Sequence, residues 1–173
     1  MSVLIGGLFG TIVMSLAGLA FFHLNMESNT SWNRALNERF ERMEERLGTQ
    51  MLITSTNLSS EGTSLVVTVG NVGAQYIGGF EHMDLLVSYT GVSDEKILKR
   101  LRYVDGTTPA AHEWVLTSIE PDVLGRGVLN PGERASLTLM LATAVEPGTY
   151  GAVHLATSNG TTTSNVFTYA NDS

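Results

Sequence analysis

From Val3 to Leu24 the chain reads VLIGGLFGTIVMSLAGLAFFHL, an apolar run whose only titratable side chain is His23. At ~1.5 Å rise per residue it spans a bilayer core of roughly 30 Å, which predicts a membrane-competent helix. Met1-Ser2 supplies no basic flank of the kind a secretory signal carries, so cleavage after Ala17 or Ala20 is not expected. A second helical pattern follows over residues 31–47. There Trp32, Leu36, Phe40, Met43 and Leu47 step by three or four onto one stripe, and Arg and Glu fill the opposite face. Glu38 and Arg42 stand in the favourable i,i+4 order, and Gly48 is placed to end the helix. No proline interrupts residues 1–48, so the expected element is a nearly continuous rod about 70 Å long. A rod of that length needs partners in a membrane or in copies of itself.

After Gly48 the hydrophobic period drops to two residues, and Gly, Thr, Ser and Asn replace Arg and Glu. Strands are expected at 50–57, 64–70, 82–90, 97–104, 113–119, 135–143, 150–157 and 164–169. Leu65, Val67 and Val69 share one face, as do Leu137, Leu139 and Leu141. Turn signals lie between the strands, among them Asn71 to Gly73, Asn130-Pro131-Gly132, Pro147-Gly148 and Asn159-Gly160. The expected class is therefore α+β. A long N-terminal hydrophobic and amphipathic helix, residues 1–48, is followed by an antiparallel immunoglobulin-like β-sandwich, residues 49–173. The cysteine pair and buried-tryptophan signature of true immunoglobulin domains are missing from the pattern.

Charge is distributed unevenly. The chain has 173 residues, 10 Lys and Arg against 17 Asp and Glu, and a net charge of -7, yet none of these side chains precedes Glu27. An acidic chain with so few cations neutralises few phosphates, so nucleic acid is not an expected partner. The absence of cysteine excludes disulfides, thiol catalysis and Cys-ligated metals.

No catalytic constellation, cofactor motif or metal motif is present: the P-loop, dinucleotide-binding glycine run, HExxH, GxSxG and EF-hand patterns are all missing. No enzyme and no cofactor are expected. His82 and Asp84 stand i,i+2 on a candidate strand, which is too few groups for a metal site. Glu120, Asp122 and Glu133 flank the glycine-rich residues 125–132, where a solvated acidic loop is favoured over a calcium site. Lys96, Lys99, Arg100 and Arg102 form the one basic cluster outside the rod, read as a solvated strand face or an inter-subunit charge partner. Gly6 and Gly10 form a GxxxG step, and Gly7, Thr11, Ser15 and Gly18 continue a small-residue row suited to close helix packing. Asn29, Asn57, Asn159 and Asn171 begin Asn-x-Ser/Thr triplets, which accept glycans only in an exported protein.

An uncharged apolar N-terminus, an amphipathic segment and a cysteine-free β-sandwich, in that order, resemble the archaellin-like family of archaellum proteins. Residues 64–89, SLVVTVGNVGAQYIGGFEHMDLLVSY, resemble the family's strand, Asn-x-Gly turn and Asp-led second strand, here Asn71, Gly73 and Asp84. LNPGERASLTL, residues 129–139, is similar to its Asn-Pro-Gly-Glu turn before a late strand. Members are made with a short basic leader cut just before the apolar stretch, so Met1 is expected near the mature end. Type IV pilins share the apolar rod but usually carry Glu at the fifth mature position, where this chain has Ile5. The charged segment from Arg34 to Arg46 resembles the stator-type accessory relatives.

The resemblance implies a structural subunit of an extracellular motility filament. It would be inserted in the membrane before assembly and then polymerise as a helical homopolymer, with the sandwich outermost. The packing residues are then Gly6, Gly7, Gly10, Thr11, Ser15, Gly18, Trp32, Leu36, Phe40, Met43 and Leu47. The alternatives are a membrane-anchored stator-type protein that grips a cell-envelope or surface-layer partner, and a pilin-like adhesion subunit.

Overall fold

The structure, a computed structural model, describes residues 37–41, 43 and 48–170. The chain divides into two units, Met1–Met43 and Glu44–Ser173. In the first, residues 37–41 and 43 are helical with exposed side chains. Among the described residues no helix is long and apolar enough to cross a membrane.

In the second unit the two-residue hydrophobic period becomes eight strands: β1 (Met51–Leu58), β2 (Ser64–Asn71), β3 (Asp84–Thr90), β4 (Lys96–Tyr103), β5 (Glu113–Glu120), β6 (Arg134–Met140), β7 (Tyr150–Ala156) and β8 (Thr162–Thr168). Each lies within a few residues of its expected position. The start of the third is displaced because Phe80–His82 form a 3-10 turn after Gly79, whose φ of 65° suits glycine. The inward residues of the alternating strands are the core. Leu65, Val67, Val69, Leu137, Leu139 and Leu141 are all buried, packed with Leu85, Val87, Val153 and Phe167 from the facing strands.

The α+β expectation is overturned. Strand is the predominant regular structure of the described residues, with α-helix only at residues 37–41, 43 and 48 and no long helix among them. The apolar run 3–24 lies outside the described residues. The sandwich also differs from expectation, because the strands form one hydrogen-bonded sheet in the order β1-β2-β6-β5-β4-β3-β7-β8. The join is parallel and short, made by Arg102 opposite Glu113 and Tyr103 opposite Trp114. At this corner Trp114 is fully buried, and Tyr103 meets it edge-on at 4.9 Å between ring centroids. A buried tryptophan is thus present even though its sequence signature is not.

The two ends of the sheet curl toward each other, giving a near-barrel. No ladder joins β1 to β8; side chains bridge them instead. Ile53 N–H donates to Thr163 Oγ1 at 3.3 Å, and Thr56 Oγ1 donates to the Val166 carbonyl at 3.4 Å. Below them Thr161 Oγ1 donates to the Thr49 carbonyl at 3.4 Å. Covering edges in this way removes a template for uncontrolled strand pairing.

Candidate assembly interface

The sequence-predicted packing residues Gly6, Gly7, Gly10, Thr11, Ser15, Gly18, Trp32, Leu36 and Leu47 lie outside the described residues, as do the glycan candidates Asn29 and Asn171. Phe40 and Met43, three positions apart in helical residues, are 63% and 59% exposed. Asn57 is exposed near the end of β1. Asn159 is half-buried and its amide is in use: Nδ2 donates to Thr49 Oγ1 at 3.0 Å, while Oδ1 accepts from Thr157 Oγ1 at 2.5 Å. Asn159 is half-buried against Thr49 whereas Asn57 is exposed, so Asn57 is the more accessible of the two.

The chain enters the β domain at Gly48, and around that pole the two family-like turns pack together. Asn71 is buried. Its Nδ2 donates to the carbonyls of Gln75 and Leu129 at 2.8 and 2.9 Å, and its Oδ1 accepts from Gly73 N–H at 3.0 Å. The Gly48 carbonyl accepts from Ala74 and Gln75 N–H, and a Cβ at Gly73 would collide with that carbonyl and with Gln50 N. Asn130 and Glu133 hold the 121–132 loop. Glu133 is buried and accepts from the N–H groups of Asn130 at 2.8 Å and Val123 at 3.3 Å, while Asn130 Nδ2 donates to the Leu124 carbonyl.

Backbone N–H donation from Asn130 leads the causes that hold the Glu133 carboxyl below its ordinary range, opposed by burial. Glu133 therefore serves as a brace, and Glu120 and Asp122 stay exposed. Among the described residues no group of three His, Cys, Asp or Glu side chains is placed to hold a metal. The brace displays apolar side chains outward: Val123 and Leu124 are 72% and 70% exposed, and Val72 and Tyr76 on the neighbouring loop are exposed as well. Sequence reading passed over these four, because single apolar residues in loops give no periodic signal.

The second surface is the outer face of β4, β3, β7 and β8. Leu98, Ser88, Ala152 and Val166 stand in one row across the four strands. The small residues form the floor of a groove of about 350 Å³, while Leu98, Tyr150 and Val166 form its walls. The basic cluster lies on β4 beside it. Arg100 pairs with Asp84, Arg102 pairs with Glu113, and Lys96 Nζ donates to Thr90 Oγ1 at 2.6 Å. Ala110 N–H, 2.9 Å from Glu113 Oε2, is the leading cause holding the Glu113 carboxyl below its ordinary range, and Arg102 adds to it. His82 sits on the 3-10 turn next to Glu81 and Asp84 faces Arg100, so the two do not converge on a ligand.

No family model matches the sequence, and no curated protein matches it. Solved structures do. The archaeal flagellum of Methanospirillum hungatei aligns over 98% of this chain and 94% of its own, with a TM-score of 0.67 at 15% identity. The chain has the fold of archaellum proteins. The periplasmic stator protein FlaG of Sulfolobus acidocaldarius aligns over 69% of this chain and 99% of its own, with a TM-score of 0.53 at 24% identity. Flagellin FlaB1 of Methanocaldococcus jannaschii aligns over 70% and 90%, with a TM-score of 0.51 at 13% identity. A structure of the Sulfolobus stator complex of FlaF with FlaG also matches. The neighbours thus include filament and stator proteins, and these are not enzymes.

Proposed function

We propose that this chain is a structural subunit of an archaellum-type motility filament, inserted in the membrane before assembly and extracellular afterwards. The observation that carries this reading is the alignment with the Methanospirillum filament, which extends over 98% of this chain where the stator protein FlaG covers 69%. The chemistry of the apolar residues 3–24 supports it. Once out of the membrane this uncharged segment must bury its surface, and packing among identical segments does so for every copy. Contacts that are heterologous and do not close make an open helical polymer, with Gly6, Gly10 and Ser15 allowing close approach. The exposed pole bearing Val72, Tyr76, Val123 and Leu124 then packs against neighbouring subunits. The rest of the β domain forms the outer surface, with Asn57 a site for a glycan. The role is mechanical and no residue is catalytic.

Detergent removal from purified full-length protein tests this reading. The wild type is expected to form fibres visible by negative stain, and Gly10→Leu is expected to block them. A wild type that stays monomeric under all conditions counts against the filament, and a Gly10→Leu chain that polymerises normally counts against the small-residue row.

A second reading is a membrane-anchored stator-type protein whose β domain binds a cell-envelope or surface-layer partner. It is favoured by the 24% identity along 99% of FlaG and by the charged segment Arg34 to Arg46. It predicts that the chain remains in detergent-extracted membranes and is not found in fibres.

A further inference from the structure

β4 leaves part of its edge open. Arg102 N–H donates to the His112 carbonyl at 2.9 Å and Val104 N–H to the Trp114 carbonyl at 3.0 Å, so the even-numbered residues here turn their main chain toward β5. The register of β4 with β3 is unbroken from Lys96 to Leu101, so Leu98 and Arg100 turn their N–H and C=O groups the same way. β5 begins only at Glu113, opposite Arg102. Beside Leu98 and Arg100 no strand among the described residues pairs with these groups. Leu98 is 70% exposed and forms one wall of the apolar groove on the outer face. The opposite ends of the sheet, by contrast, are bridged by threonine side chains.

We propose that this open edge of β4 receives an extended acidic segment of a partner protein as an added strand. Main-chain bonding to Leu98 and Arg100 supplies the attachment, and an apolar side chain of the incoming strand rests against Leu98 at the rim of the groove. Charge selects the occupant. Lys96, Lys99, Arg100 and Arg102 are four of the six Lys and Arg in residues 49–170, all on this strand. Among the described residues Lys99 has no carboxylate partner. A second copy of β4 would bring like charges opposite one another and is disfavoured, as on protected sheet edges generally. An acidic strand meets Lys96 and Lys99 at this edge, while Arg100 and Arg102 are already paired with Asp84 and Glu113. The inference stands apart from the filament reading: either class of archaellum protein could use such an edge to join a different protein.

The test uses isotope-labelled full-length protein in detergent and two synthetic peptides, one alternating Glu with Val and one alternating Lys with Val. Amide hydrogen exchange at Leu98 and Arg100 is the readout. The acidic peptide is expected to slow exchange at both amides and the basic peptide to leave them unchanged. Leu98→Pro deletes an outward N–H without touching the β3 ladder, and is expected to weaken acidic-peptide binding about tenfold. Lys99→Glu weakens it too, while near-UV circular dichroism stays that of the wild type. Equal binding of both peptides, protection elsewhere on the domain, or unchanged binding by Leu98→Pro overturns the proposal. So does protection of both amides in the protein alone, which would mean that a second copy already fills the edge. None of these outcomes bears on whether the wild type forms fibres.

Discussion

Glu133 and Gly73 show how single residues shape the pole where the chain enters the β domain. The folded-state carboxyl of Glu133 sits below its ordinary range, led by donation from Asn130 N–H. A carboxyl depressed on folding contributes stability that is fully present above its unfolded value, near pH 4, and is lost as pH falls through the folded value. Glu113, held by Ala110 N–H and Arg102, acts in the same direction. Urea denaturation of Glu133→Gln is therefore expected to show lower stability at neutral pH and a flatter acid limb than the wild type; an identical acid limb would remove Glu133 from the account. Gly73→Ala drives a methyl into the Gly48 carbonyl and Gln50 N, and is expected to cost about 2 kcal/mol in the same experiment. Both residues stood in motifs that the sequence made visible, but their reason was not. The sequence marks Asn71, Gly73, Asn130 and Glu133 as turn residues, whereas the structure shows two distant turns clasped together, Asn71 reaching the Leu129 carbonyl across 58 positions.

At the scale of elements, the strands were legible because each is locally written: alternation places Leu65, Val67 and Val69 inward whatever they pair with. What alternation cannot carry is which strand lies beside which. The parallel join of β4 to β5 rests on two residue pairs, and the approach of β1 to β8 on scattered threonines, so neither leaves a periodic trace. Hence one curled sheet was read as an antiparallel sandwich. Thr163→Val tests the seam. It keeps the shape of the side chain, removes the acceptor for Ile53 N–H, and is expected to cost about 1 kcal/mol by chemical denaturation, with amide exchange quickening at Ile53. A loss confined to β8, with Ile53 still protected, would show that the seam is held by packing alone.

Over the whole molecule, the surfaces that face other molecules were the least legible part. Residues 3–24 announce themselves by composition, and the resemblance to archaellum proteins followed from the order of parts and is matched by the fold. The exposed apolar pole and the open edge of β4 became visible only once the chain was folded, since Val72 and Tyr76 are far in sequence from Val123 and Leu124. Double substitution of Val123 and Leu124 by Asp tests the pole. Only their main chains take part in the Glu133 and Asn130 brace, so domain stability should change by no more than about 0.5 kcal/mol while fibre formation fails. Fibres of normal length from that variant would show that the pole stays in solvent.

The most direct test of the filament assignment is mass spectrometry of fibres sheared from native cells and first identified by negative-stain electron microscopy. The account predicts that this chain is their dominant protein component. Its absence from the fibres, with recovery only in detergent-extracted membranes, would contradict the filament assignment and leave the stator-type reading in its place.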